Sequence, residues 1–113
     1  MYIFRVKEDK ADLFKQLSKK AKEIIRSYSG KATLYQGETL TGKQGSMGLL
    51  DLFELKDEEI VFFGKIEYPS KKMHTKSVEQ MKKDDLITHL YEQIIEVVDM
   101  SHLVTSTFLK VEQ

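Results

Sequence analysis

Residues 60–68 read IVFFGKIEY and are followed at once by Pro69-Ser70. β-Branched and aromatic side chains in that density, bounded by a breaker, read as a strand. Proline has no amide to give a ladder, and Ser70 offers an oxygen to the open amides of a helix's first turn. A strand that hands directly to a capped helix fixes the middle of the fold, and the remaining elements are read outward from it.

Downstream, Met73, Ser77, Val78 and Met81 share one face of the helix that Ser70 starts. Asp84 and Asp85 restart the chain as a new N-cap. The helix near 85–98 then carries Leu86, Ile87, Leu90, Tyr91, Ile94, Ile95 and Val98. A last strand is expected over His102–Val111 (HLVTSTFLKV). Upstream, residues 1–7 (MYIFRVK) read as a strand. A long amphipathic helix over about 9–28 repeats Leu13, Phe14, Leu17, Ala21, Ile24, Ile25 and Tyr28 at three- and four-residue steps. Ser29-Gly30 ends it, glycine being the residue that tolerates a left-handed cap. Residues 31–36 (KATLYQ) form a second strand, 37–47 a glycine-rich loop, and 56–59 a charged turn. Residues 48–55 (GLLDLFEL) read as a short helical turn or as an extra strand, the turn being preferred.

The order is strand, helix, strand, strand, helix in two parts, strand. In 113 residues that is one α+β domain, 1–113, of the ferredoxin-like βαββαβ kind. It has an antiparallel sheet with its helices on one face. The runner-up is another α+β sandwich with a fifth strand at 48–55.

Composition closes several functions. With 18 basic and 18 acidic residues, no global field draws the chain to nucleic acid or an anionic membrane. No cysteine is present, so there is no disulfide, thiolate zinc site or cysteine nucleophile. Apolar runs stop far short of the ~20 residues of a membrane span. Residues 1–5 enter a strand directly, without a signal-peptide pattern. The expected location is cytoplasmic, with neither a nucleic-acid nor a membrane partner.

The face of the sheet away from the helices decides the functional reading. Period two puts Ile3, Arg5, Thr33, Tyr35, Val61, Phe63, Lys65, Glu67, Val104, Ser106, Phe108 and Lys110 together. Large hydrophobes stand there where a solvated face would carry charge, and patches of that size are uncommon on monomers. A second copy packed face to face, as a dimeric α/β barrel, is the economical cover. Arg5, Tyr35, Phe63, Lys65 and Phe108 then line a cleft for a small apolar or aromatic ligand. Read plainly, the same residues are a packed interface with a polar rim and no ligand.

Other motifs carry less. Gly37–Gln44 fits the frame of a phosphate loop but has Gln44 where magnesium needs Ser or Thr, so a turn-rich loop is the reading. His74, His89 and His102 show no metal spacing, and no metal or cofactor is expected. His89 reads as a helix-surface residue, whereas His74 and His102 are the catalytic candidates, as groups able to transfer a proton near neutral pH. Lys65 and Glu67 are a charged handle for a ligand or a cross-strand ion pair.

Gly42-Lys43, residues 59–63 (EIVFF) running to Tyr68 and Ser70, residues 81–86 (MKKDDL) and residues 99–108 (DMSHLVTSTF) carry a resemblance. From about Gly42 to Val111 the chain resembles a bacterial family of uncharacterised ferredoxin-like proteins within the dimeric α/β-barrel group. It departs from that pattern at Gly64 or Lys65, where a tryptophan is usual, at Lys71–Thr75 for an Arg-Asp-type pair, and at Ser106-Thr107 for a Gly-Gly pair. The resemblance implies the fold and the dimer. The wider group holds cofactor-independent monooxygenases, lactone isomerases, haem-degrading enzymes and ligand-sensing domains, among which a fold does not choose. Two functions are carried forward. One is a ligand-binding homodimer, a cofactor-free monooxygenase- or isomerase-like enzyme if catalytic; the other is a non-catalytic self-association or protein-interaction module.

Overall fold

A computed structural model describes residues 1–37, 59–109 and 111. The chain runs β1 (Tyr2–Lys7), a 3-10 turn (Glu8–Lys10), α1 (Ala11–Ser27), β2 (Lys31–Gln36), β3 (Glu59–Glu67), α2 (Lys71–Met81), α3 (Asp85–Val97), a second 3-10 turn (Met100–His102) and β4 (Val104–Thr105). The expected element order is therefore observed. Residues 38–58, which hold all but Gly37 of the glycine-rich loop and of the phosphate-loop frame together with the 48–55 segment, and Lys110 lie outside the described residues.

The fold is α+β. Its antiparallel sheet has four strands among the described residues, ordered β2-β3-β1-β4. β1 and β3 hold the centre with Ile3 opposite Phe63, Phe4 opposite Phe62 and Arg5 opposite Val61. Alternation then sends Phe4, Val6, Ile60 and Phe62 to the helices, where Val6, Phe62, Ala11, Phe14 and Val98 form the buried core. Rings interlock there, with Phe14 4.8 Å from Phe62 and 5.1 Å from Phe4. Leu13, expected in the buried stripe of α1, is 42% exposed. One residue from Phe14 is a 100° turn of the helix, which carries Leu13 off the sheet.

Two caps divide the second crossover. Ser70 Oγ accepts from Met73 N–H at 3.1 Å, and Asp84 accepts from Leu86 and Ile87 N–H at 2.9 and 3.3 Å. The other oxygen of Asp84 accepts from the Tyr28 hydroxyl at 2.5 Å, while Ser77 Oγ, buried on α2, donates to Tyr28 O at 2.6 Å. The Tyr28 hydroxyl holds the Asp84 carboxyl below its ordinary range, and Asp84 in return raises Tyr28. The end of α1 is thus tied to both later helices. Among the described residues, no helix is long and apolar enough to cross a membrane.

Two expectations are corrected. The left-handed residue after α1 is Ser29 (φ 68), not Gly30. Ser29 N–H donates to Arg26 O and Gly30 N–H to Ile25 O, the paired bonds of a Schellman ending. Gly30 is required by close approach instead, since a Cβ there would lie 2.5 Å from Ile25 Cγ2 and 3.0 Å from the Tyr68 ring. The last strand is also far shorter than 102–111. Asp99 accepts from Ser101 N–H and folds 99–102 into a turn, and regular pairing with β1 covers only Val104 and Thr105.

Gly30→Ala should therefore destabilise the protein by about 1–3 kcal/mol through overpacking. Ser29→Gly should stabilise it by up to about 1 kcal/mol by removing a left-handed β-carbon. Urea midpoints check both, and the opposite order would return the left-handed role to Gly30.

Candidate functional site

The strand register places one row of side chains across the whole sheet on the face away from the core. Tyr35 on β2 lies opposite Phe63 on β3, Phe63 opposite Ile3 on β1, and Ile3 opposite Val104 on β4. The rows beside it carry Thr33 opposite Lys65 and Arg5 opposite Val61. Ile3, Arg5 and Val61 are buried, Arg5 to 4% exposure. Phe63, Lys65, Thr33 and Val104 are half-buried, while Tyr35 is 48% exposed. The expected face exists as a register fact, with its centre covered and its β2 side open.

Its polar chemistry sits on that open side. Lys65 Nζ is 2.8 Å from Glu67 Oε1 and 6.0 Å from the Tyr35 ring centroid, and the Tyr35 ring lies 5.8 Å from that of Phe63. Glu67 raises the Lys65 ammonium above its ordinary value, so it stays a cation at any physiological pH. Both side chains reach solvent, and such a pair adds little to stability. What it does is hold a positive charge over the Tyr35 ring.

At the opposite edge, the turn before β4 supplies what sequence reading had as a lone histidine. Asp99 N–H donates to Arg5 O, which docks the turn against β1. His102 Nδ1 is 2.8 Å from Asp99 Oδ2, and Ser101 Oγ donates to Asp99 Oδ1 at 2.6 Å. Ser101 and then His102 hold the Asp99 carboxyl down to about 2, so it is ionised at neutral pH. An ionised carboxylate at Nδ1 favours the tautomer with the proton there, which leaves Nε2 with its lone pair. This is not a nucleophile triad, because the serine hydroxyl faces the carboxylate rather than the imidazole's outer nitrogen.

The remaining candidates separate. His74 lies on α2 with its ring 5.0 Å from that of Tyr68, just past the end of β3. His102 stands at the β4 edge beside Arg5, whose partner Val61 lies seven residues before Tyr68, roughly 23 Å along an extended strand. One site does not gather both histidines within one chain. Phe108 lies beyond β4 and is 70% exposed. Two surface depressions are lined by Lys71, Lys72, Thr75, Lys76 and Glu79, and by Lys22, Arg26, Gly30, Lys31 and Ala32. None of the expected residues is in either. Among the described residues, no three histidine or carboxylate side chains converge on a metal position.

Sequence reading missed Asp99 and Ser101. The signal was present in Asp99-Met-Ser-His102, since aspartate two residues before serine at a helix end is an Asx-turn pattern.

These features define an α+β protein whose antiparallel sheet has four strands among the described residues, with a largely apolar row on its outer face and an Asp–His pair at its edge. Residues 1–97 match the model of a family described as Protein of unknown function (DUF1428), and the chain belongs to that family. The match takes in the first strand and helix, which the resemblance had not used, and stops before Asp99 and His102. No curated protein matches the chain.

Because the folded value of Asp99 lies below that of an unfolded aspartate, its contribution to stability is complete above about pH 4 and is lost as pH falls from there toward 2. The carboxyl carbon of Asp99 should titrate by NMR near 2 in the wild type. It should titrate nearer the ordinary value in Ser101→Ala. A wild-type midpoint at the ordinary value contradicts the geometry described.

Proposed function

We propose that the chain is one ferredoxin-like half of a homodimer of the dimeric α/β-barrel kind. The outer sheet faces close on each other around a cleft for a small apolar or aromatic molecule. The observation that carries this reading is the row Tyr35–Phe63–Ile3–Val104, which crosses all four described strands and ends in an aromatic pair beside a fixed cation. The strand order and pairing, with crossover helices packed on one face, support the ferredoxin-like assignment. An apolar floor with few convergent polar groups is the usual composition of a small-molecule site.

In this reading Lys65 attracts an anionic group at one end of the ligand and the aromatic pair takes its apolar body, with His102 at the opposite edge of the sheet. His102 is the proton-transfer group. Its Nε2 accepts a proton from an enolisable carbon, the electron pair passes to the neighbouring carbonyl oxygen, and the proton returns at another position, an isomerisation that consumes nothing else. Asp99 stabilises the imidazolium formed on the way.

A second reading keeps the dimer without the ligand. It is favoured by the position of both surface depressions away from this face. Titration with 8-anilinonaphthalene-1-sulfonate, an apolar aromatic anion, separates the two. The cleft requires saturable binding that weakens about tenfold in Phe63→Ala at unchanged circular dichroism. Absence of binding, or equal binding by the variant, leaves only the dry interface.

A further inference from the structure

The two longest helices carry opposite charge. α1 holds Lys15, Lys19, Lys20, Lys22 and Arg26 against Asp12 and Glu23. α3 holds Asp85, Glu92 and Glu96 and has no lysine or arginine. The chain as a whole is neutral, so charge is separated within one layer rather than present in excess. Lys15, Lys19, Lys22 and Arg26 follow steps of four, three and four, which at 100° per residue sets them within about 60° of one another. Asp85, His89, Glu92 and Glu96 repeat the same steps on α3. All eight residues are exposed, and among the described residues none of them forms an ion pair. Like charges three and four apart on one helix repel, so the α1 stripe costs helix stability unless acids lie across it.

Within the chain α1 and α3 run antiparallel. Tyr28, just past the end of α1, bonds Asp84 at the start of α3, while Ala11 and Phe14 at the start of α1 share the core with Ile94 and Val97 at the end of α3. Steps of four, three and four read the same in either direction, so the two stripes also match antiparallel. We infer that the helix layer docks a second copy of this chain, with Lys15 opposite Glu96, Lys19 opposite Glu92, Lys22 opposite His89 and Arg26 opposite Asp85 of that copy. A two-fold axis parallel to the helices makes both α1–α3 contacts at once, each about 16 Å long. The contact does not rest on the homodimer proposed above, because the helices and the outer row occupy opposite faces of the sheet; sheet-face dimers are joined further through it. Exposed ion pairs set register and partner more than affinity, so this association belongs to low ionic strength and high protein concentration.

Sedimentation equilibrium at about 0.02 M and about 0.5 M salt tests it on the wild type, Lys15→Glu/Lys19→Glu, Glu92→Lys/Glu96→Lys and the chain carrying all four changes. Glutamate early in α1 and lysine late in α3 suit the helix dipoles, so the variants should keep the wild-type circular dichroism. At low salt each two-site variant should associate about tenfold more weakly than the wild type, and the four-site chain, neutral again, should recover the wild-type constant. High salt should bring all four chains to one weight-average mass. Lys72→Glu/Lys76→Glu makes the same change of net charge on α2 and should associate as the wild type does. Equal masses for the wild type and both two-site variants at low salt overturn the contact and leave the sheet-face homodimer to its own test. A four-site chain that does not recover overturns the pairing, and an equal loss in the α2 variant overturns it in favour of net charge alone.

Discussion

Everything in this protein depends on the register between β1 and β3. Phe4 lies opposite Phe62, and Ile3 opposite Phe63, so adjacent pairs belong to opposite faces. A slip of one residue would send Phe62 to the outer face and Phe63 into the helices. The rings of Phe4, Phe14 and Phe62 resist that slip, because a close-packed aromatic stack has no room for a substitute of different position. The same pairing that builds the core therefore dictates the outer row, and the candidate site is the other side of the folding constraint.

Aspartate side chains at chain reversals do the rest of the positioning. Asp84 caps α3 with one oxygen and takes the Tyr28 hydroxyl with the other, so the start of α3 is fixed against the end of α1. Asp99 repeats the device one element later. It orders the turn through Ser101 and holds His102, while its own amide is docked on β1. The carboxylate that makes the turn is the carboxylate that sets the histidine's tautomer. Structure and candidate chemistry are thus coupled at one residue.

Much of this was legible. Strands with dense aromatic and β-branched residues, the Ser70 and Asp84 caps and the membership of the outer face all follow from period and local hydrogen bonding. What escaped was decided by groups that period does not describe. Gly30 reads as a left-handed cap until Tyr68, 38 positions away, is seen to occupy the space of its Cβ. Residues 102–111 read as one strand because propensity cannot show that the Asp99 side chain competes for the backbone. His74 and His102 read alike, yet one packs on Tyr68 and the other is gripped by a carboxylate. Phe108 belongs to the outer face by period but lies beyond the paired part of β4.

In the proposed homodimer the outer sheet face is closed by a second copy around a small molecule. Native mass spectrometry of the purified protein at low micromolar concentration tests it most directly. The expected result is a dimer with mass beyond two chains, the excess released as a small molecule on collisional activation. A clean monomer would contradict it and leave the row of Tyr35, Phe63, Ile3 and Val104 to another cover.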